Sequence, residues 1–404
     1  MWIFVAGIIS IHVFFLWRVR DRIARGDPDF TVFYTAGKIL REGRGAQLYQ
    51  SNEQLAVQGQ FARNSDIRRG PLPYIHPPFE ALFFLPLTFL SYSRAFLAWN
   101  LINLAILFGV SRLLKNSLLS LASIPVWQMV LLGLAFFPVF ANFHQGQDAI
   151  LLLLVVTLSF RALDRDADLL AGCWLGFGLF KYHLILPLAL VLTIWRGRRF
   201  MLGFAASGSA AVLISLGLVG WKGVLDYPAY AWRVVSQPAF GGIPSGQLPS
   251  LFGLVAGWPF AQKIGSAVPV VVAAGSAVLL MIVASLRKCA RDEALFRLCF
   301  AGAVMTALLV GLSTNSYDLS LLVVPLAVIV NCRFERTLDG KSLIAPAIPL
   351  LISPLWFLLW MRWQRINLMA LFLLWWLFVL IAEVRRLQCL KEQPLPQSSL
   401  IANA

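Results

Sequence analysis

Long apolar runs, repeated almost from end to end, constrain this chain more than any other feature. Runs of about 18–25 apolar residues recur between Met1 and Ala382, each long enough to cross roughly 30 Å of hydrocarbon as a helix. Lipid offers backbone groups no hydrogen-bond partner, so a crossing segment must satisfy them itself, and a helix does. With 59% of 404 residues hydrophobic and 13% charged, a soluble domain has no use for so much apolar surface. The expected fold is an all-α polytopic bundle of about 11–13 membrane helices, short broken ones included. One transmembrane domain is expected over 1–390, with a short cytoplasmic tail at 391–404.

The formal charge of +15 comes from 34 Lys+Arg against 19 Asp+Glu. The basic residues sit in short clusters between apolar runs, where orientation signals belong, so nucleic acid is not an expected partner. Arg112/Lys115, Arg161/Arg165, Arg196/Arg198/Arg199, Arg287/Lys288/Arg291/Arg297, Arg333/Arg336/Lys341 and Arg385/Arg386/Lys391 together hold 17 positive residues. The loops between them, around Asn142–Asp148, Trp221–Ser250, Ser313–Asp318 and Arg362–Arg365, hold four. The positive-inside rule puts the clusters in the cytoplasm and the loops outside. Met1–Val19 lacks a basic start and a small-residue cleavage site, and is expected to stay as the first membrane helix. Parity then places the arginine-rich loop Arg20–Pro78 outside; making Phe79–Leu90 an extra span would put it in the cytoplasm. The five cysteines show no metal or redox spacing.

This topology makes a demand on Ala167–Trp195, whose flanks are both basic. The segment must enter and return on one side, as a hairpin with legs of about 13 residues, roughly 20 Å each. Breaks near Lys181-Tyr182-His183 and at Pro187 suit this, and put Lys181 near the apex.

Several polar residues stand out against the apolar background. In Asp27-Pro28-Asp29-Phe30, proline suits the first helical position and Asp27 the cap before it. Phe30, Phe33, Tyr34 and Gly37 follow at one-face spacing, which predicts a short amphipathic helix lying on the membrane. Asp29 at its start is either a reactive carboxylate or one more acid favouring the helix dipole. His76, within Pro73–Pro78, is a plain loop histidine or a phosphate or sugar contact. In the turn Asn142–Asp148, His144 and Gln147 either bind sugar hydroxyls or satisfy a turn. Lys181, between Phe180 and Tyr182, is costly at membrane depth and by default a functional-site candidate, with a snorkelling lysine as the bland alternative. Asp318, in Ser316-Tyr317-Asp318, is a helix cap or a sugar contact.

Taken together, these pieces resemble the polyprenyl-phosphate-sugar-dependent glycosyltransferases of family 87, which have the GT-C membrane fold. The resemblance rests on Asp29-Phe30-x-x-Phe33-Tyr34-x-Ala36-Gly37, Leu48-Tyr49, His76-Pro77-Pro78-Phe79 and Leu85-Pro86-Leu87. It continues through Gln145-Gly146-Gln147, Ala171-Gly172 with Gly176 and Lys181, Pro187, and Tyr317-Asp318-Leu319 before Pro325-Leu326. Each motif is short, and their order and spacing carry the likeness. Two departures leave the sugar open between a mannose-like hexose and a pentose. The family often has tyrosine at the place of His76, and many mannosyltransferase members carry a histidine in the segment around Asn315–Leu319.

The resemblance implies an inverting transfer from a polyprenyl-phosphate sugar to a glycolipid or glycan acceptor at the outer face of the plasma membrane. It gives Asp29 the role of catalytic base. Lys181, His76, Tyr34, His144, Gln147, Tyr182 and Asp318 are the candidates for binding donor phosphate and sugar. No cofactor or metal is expected, because no carboxylate cluster has ligand spacing in the sequence, although a loosely held divalent ion would be compatible. A monomer in contact with membrane lipids is the expected state. The competing class is a lipid-linked saccharide flippase, for which paired discontinuous helices in two related halves are expected.

Overall fold

The structure is a computed structural model describing residues 2–62, 72–236, 247–258, 261–334, 340–352 and 368–392. Among these residues it is built from helices without strands. The longer ones are α1 (Trp2–Ala24), α2 (Phe30–Arg41), α3 (Tyr92–Ser117), α4 (Val126–Ala135), α5 (Phe137–Gln145), α6 (Ala149–Leu163) and α7 (Asp168–Gly176). They continue as α8 (Tyr182–Arg196), α9 (Arg198–Ser236), α10 (Val268–Ala284), α11 (Glu293–Val310), α12 (Val323–Phe334) and α13 (Leu368–Glu392). By length and composition six segments could cross a membrane, or seven if α4 and α5, bent by 76° at Phe136, count as one. The chain is an all-α polytopic membrane protein.

One of those six segments, Asp168–Arg196, is not a straight rod. Arg196, at its end, pairs with Asp166 just before its start (2.9 Å) and lies 3.8 Å from Asp168. The ends therefore meet, and α7 and α8 form the expected hairpin, turned by a 3-10 segment at Phe177–Lys181. Its legs, α7 and α8, are about 14 and 22 Å long, short of the roughly 30 Å of a hydrocarbon core. Close packing holds it in place. A Cβ on Gly172 would lie 2.1 Å from the Phe200 carbonyl oxygen, and one on Gly176 would lie 2.6 Å from the Ser207 Cβ. This small-xxx-small face lets α7 press on α9 closely enough for dispersion to act between backbones, the usual adhesive of helices in lipid.

Two apolar clusters divide the interior. The larger joins α6, the hairpin, α11, α12 and α13. The smaller is aromatic and centres on α2, with Phe30, Phe33, Phe84, Tyr92 and Trp99. Here the structure corrects two expectations. Helix α2 does not lie on a membrane surface; Phe30–Gly37 are all buried, because the segment Pro78–Phe89 and α3 cover its other face. Asp27 does not cap it either. The helix begins at Phe30, and Asp27 accepts from Arg22 Nε at 2.9 Å. Pro78–Phe89 itself is a short turn of 3-10, α and 3-10 helix, too brief to be an extra span. A further difference concerns 221–236, read as part of a loop; α9 continues through it after a break at Gly220 (φ 72°). Arg63, Arg68, Arg69, Arg336, Arg362, Arg365 and the residues from Pro394 onward lie outside the described residues.

The bundle has two polar ends. At one, Asp164, Asp166 and Asp168 meet Arg297 and Arg196. At the other, one α6 length away, lie Asp148, Lys181 and Asp318.

Candidate active site

The second end is assembled from five separate stretches of chain. Helix α5 stops at Gln145 because Gly146 adopts the left-handed conformation (φ 61°). Only glycine fits there. A Cβ would also sit 2.7 Å from the Phe30 Cβ. This reversal turns both neighbouring glutamines onto the start of α2. Gln145 Oε1 accepts from the Asp29 backbone N–H (3.2 Å), and Gln147 Nε2 donates to Asp29 Oδ2 (2.8 Å). Asp29 makes no side-chain cap bond to its own helix. Its half-buried carboxylate is thus oriented by the neighbouring turn.

Next to the Asp27–Pro28 stretch that leads into Asp29 lies a cavity of about 180 Å³ lined by Phe15, Val19, Arg22, Ile23, Asp27, Pro28, His144 and Gln145; Asp29 itself is not among its lining. Its α1 wall is apolar at Phe15, Val19 and Ile23 and carries Arg22, while Asp27 and His144 add polar atoms opposite. The second feature is a buried polar cluster. Lys181 Nζ lies 2.9 Å from Asp148 Oδ1 and 3.1 Å from Asp318 Oδ1, and 5.0 Å from the centre of the Tyr317 ring. Asp318 Oδ2 also accepts from the Asn315 N–H at 2.8 Å. The lysine is 3% exposed and both carboxylates are fully covered, so neither charge has water to lean on.

Next to Asp148 lie Glu80 and His76, whose ligand-type atoms all fall within 4.8 Å of one another. His76 Nδ1 is 2.9 Å from Glu80 Oε2, and Tyr74 Oη donates to the same glutamate at 3.2 Å. Burial pulls the His76 pKa down to about 4, with Asp148 opposing and Lys181 adding to the shift. Burial would push Asp148 up, but Lys181, Glu80 and His76 overcome it and hold its pKa down, to about 2. Asp148 is therefore an anion and His76 a neutral imidazole near neutral pH.

The proline-rich segment carrying His76 has no regular helix to place it. Glutamines and tyrosines do so instead. Gln54 and Gln58 of the short helix Ser51–Gln58 accept from the backbone N–H groups of Tyr74 and Leu72 (each 3.0 Å). Tyr49 donates to the His76 carbonyl (2.8 Å) and Tyr227 to the Ile75 carbonyl (3.1 Å). Tyr182 joins this belt through a side-chain hydrogen bond with Tyr227.

Of the residues singled out from sequence, Asp29 and Gln147 touch, and Lys181 and Asp318 pair, with His76 and Tyr182 alongside. His144 lies in the wall of the α1 cavity. Tyr34 is turned away from both. Its hydroxyl donates to the Leu90 carbonyl (2.7 Å) and its ring packs on Phe61 and Tyr92, so it serves the aromatic core. Glu80 and Asp148 were missed as site residues. Each is an acid at the edge of an apolar run, the same signal that marked Lys181.

The family model described as glycosyltransferase family 87 matches residues 74–311, more than half of the chain. No curated protein and no solved structure matches it. The matched stretch contains His76, Glu80, Gln147, Asp148 and Lys181, whereas Asp29 and Asp318 lie outside it. The chain belongs to glycosyltransferase family 87, and is a membrane glycosyltransferase.

Proposed function

We propose that the protein moves a mannose-like hexose or a pentose from a polyprenyl-phosphate donor to a hydroxyl of a glycolipid or glycan, with inversion, at the outer face of the plasma membrane. In this reading Asp29 is the general base. It takes the proton from the acceptor hydroxyl while that oxygen bonds to the anomeric carbon, and the bond to the lipid phosphate breaks with its electron pair leaving on the phosphate. A base needs hydrogen-bond reach to the acceptor and a fixed orientation. The observation that carries the assignment is the grip on Asp29 by Gln145 and Gln147, which fixes a half-buried carboxylate beside the turn that leads to Asp148.

Support for a lipid donor comes from the cavity next to Asp27 and Pro28, apolar at Phe15, Val19 and Ile23 and bearing Arg22 and His144, which suits an apolar chain with an anionic head. The departing phosphate needs cations or donors where charge gathers. Lys181 already holds two carboxylates, so its part is to organise Asp148 and Asp318. Arg22 is the better placed direct partner, in exchange for its pair with Asp27. His76, Tyr182 and Asp318 line the sugar side in this reading.

The test is transfer from a radiolabelled polyprenyl-phosphate sugar in proteoliposomes. Asp29→Asn should lower the rate by about 10²–10⁴-fold, the usual contribution of a positioned base, with unchanged thermal stability. Transfer near the wild-type rate would remove Asp29 from the mechanism.

A further inference from the structure

Charge at the floor of the site does not balance if its acids are ionised. Glu80, Asp148 and Asp318 are acids with no solvent exposure, and as carboxylates they would set three negative charges against the one Lys181 ammonium that binds two of them. Two positive charges are needed, because an uncompensated buried ion is costly. They come either as two protons or as one divalent cation.

The histidine beside these acids favours the cation. Lys181 accounts for Asp148 Oδ1 and Asp318 Oδ1. Asp148 Oδ2 and Glu80 Oε1 are buried and meet no N–H donor. The two carboxyls hydrogen-bond each other, so a proton or a cation must lie between them. The His76 ring hydrogen-bonds the Phe180 carbonyl. With Nδ1 turned to Glu80, the donor is Nε2–H, and Nδ1 presents its lone pair. A histidine that donates one N–H to a carbonyl and offers the other nitrogen has the tautomer and tether of a metal ligand. An imidazole lone pair and a carboxylate oxygen 2.9 Å apart repel unless something positive lies between or beside them.

We propose that His76 Nδ1, Glu80 and Asp148 bind one divalent cation of the manganese or zinc type. Imidazole with two carboxylates suits such ions. Atoms bonded to one ion at about 2.1 Å lie roughly 3–4 Å apart, so a trio within 4.8 Å closes on an ion with shifts of under about an ångström. The sequence hides the site because its ligands come from the Pro78–Phe89 turn, the residue four before Glu80, and the start of α6. With the ion present, the three acids are matched by Lys181 and the metal. The ion would lie one residue along from Gln147, on the side where the departing phosphate gathers charge. That last consequence rests on the proposed transfer; the binding site does not.

The full-length protein in detergent, stripped with chelator and titrated with MnCl2 alone, provides the test by electron paramagnetic resonance of the free ion. About one Mn2+ per chain is expected, weakened at least about tenfold by Glu80→Gln and by His76→Ala. Asp166→Asn, at the opposite end, should leave it unchanged. No stoichiometric binding by the wild type would overturn the site and assign the two charges to protons. Equal binding by folded Glu80→Gln and His76→Ala would overturn it too. Should one variant fail to fold, the wild-type stoichiometry and the other variant decide. No sugar is present, so an Asp29→Asn enzyme that still transfers would sink the mechanism and leave the metal site standing.

Discussion

The two polar ends of the bundle use the same chemistry at different depths. At the arginine end, Arg196 pairs with an Asp166 side chain that is 89% exposed, and Lys391 pairs with Asp292 where half of the lysine faces solvent. At the site end, Lys181 and both of its partners are essentially sealed. Exposed pairs gain little, because water solvates the separated ions nearly as well. Sealed ones are different, because removing one partner strands the others in a medium that cannot solvate them. The contrast teaches which charges to read as address and which as machinery. The arginine end has pairs with a partner that water reaches, and the sealed end has charge that only a function or a ligand can justify.

Substitutions at the two ends should break this contrast or sharpen it. Lys181→Met leaves two buried carboxylates facing each other, and should destabilise the protein by about 3–5 kcal/mol in thermal or denaturant unfolding in detergent. Adding Asp318→Asn should return part of that loss, since the two residues share one network. Gly146→Ala should cost about 1–3 kcal/mol, from the left-handed backbone it must adopt. Its effect on transfer should exceed its effect on stability, because the displaced turn carries both glutamines away from Asp29; a fall in kcat with folding largely kept is the expected result. Lys391→Gln, at the exposed pair with Asp292, should change stability by no more than about 1 kcal/mol and leave transfer intact. A loss there as large as that of Lys181→Met would show that depth does not separate the two ends.

Much of this was legible before any coordinates. Apolar run length gave the helical membrane class, and paired basic flanks demanded the hairpin that Arg196 and Asp166 close. Lys181 announced itself, since a cation among Phe180, Tyr182 and Leu184 must have a reason. Its partners did not, because Asp148 and Asp318 reach it through tertiary packing that no local spacing encodes. Glu80 follows the same rule as Lys181 and was still passed over, hidden behind the prolines that drew attention to His76. Helix α2 misled for a different reason. Its one-face periodicity is real, but a helix covered on all sides by aromatic neighbours can carry the same pattern as one that floats on lipid.

The short hairpin has a consequence for the surrounding bilayer. Leu169, Leu170, Phe177, Leu186 and Leu190 on its legs are exposed to whatever surrounds the protein, yet the legs fall several ångströms short of the hydrocarbon thickness. A mismatch of this sign is relieved when neighbouring lipids tilt or compress, drawing the headgroup layer inward beside the protein. A fold with such legs therefore favours a bilayer that is thinner beside the hairpin than around the full-length spans.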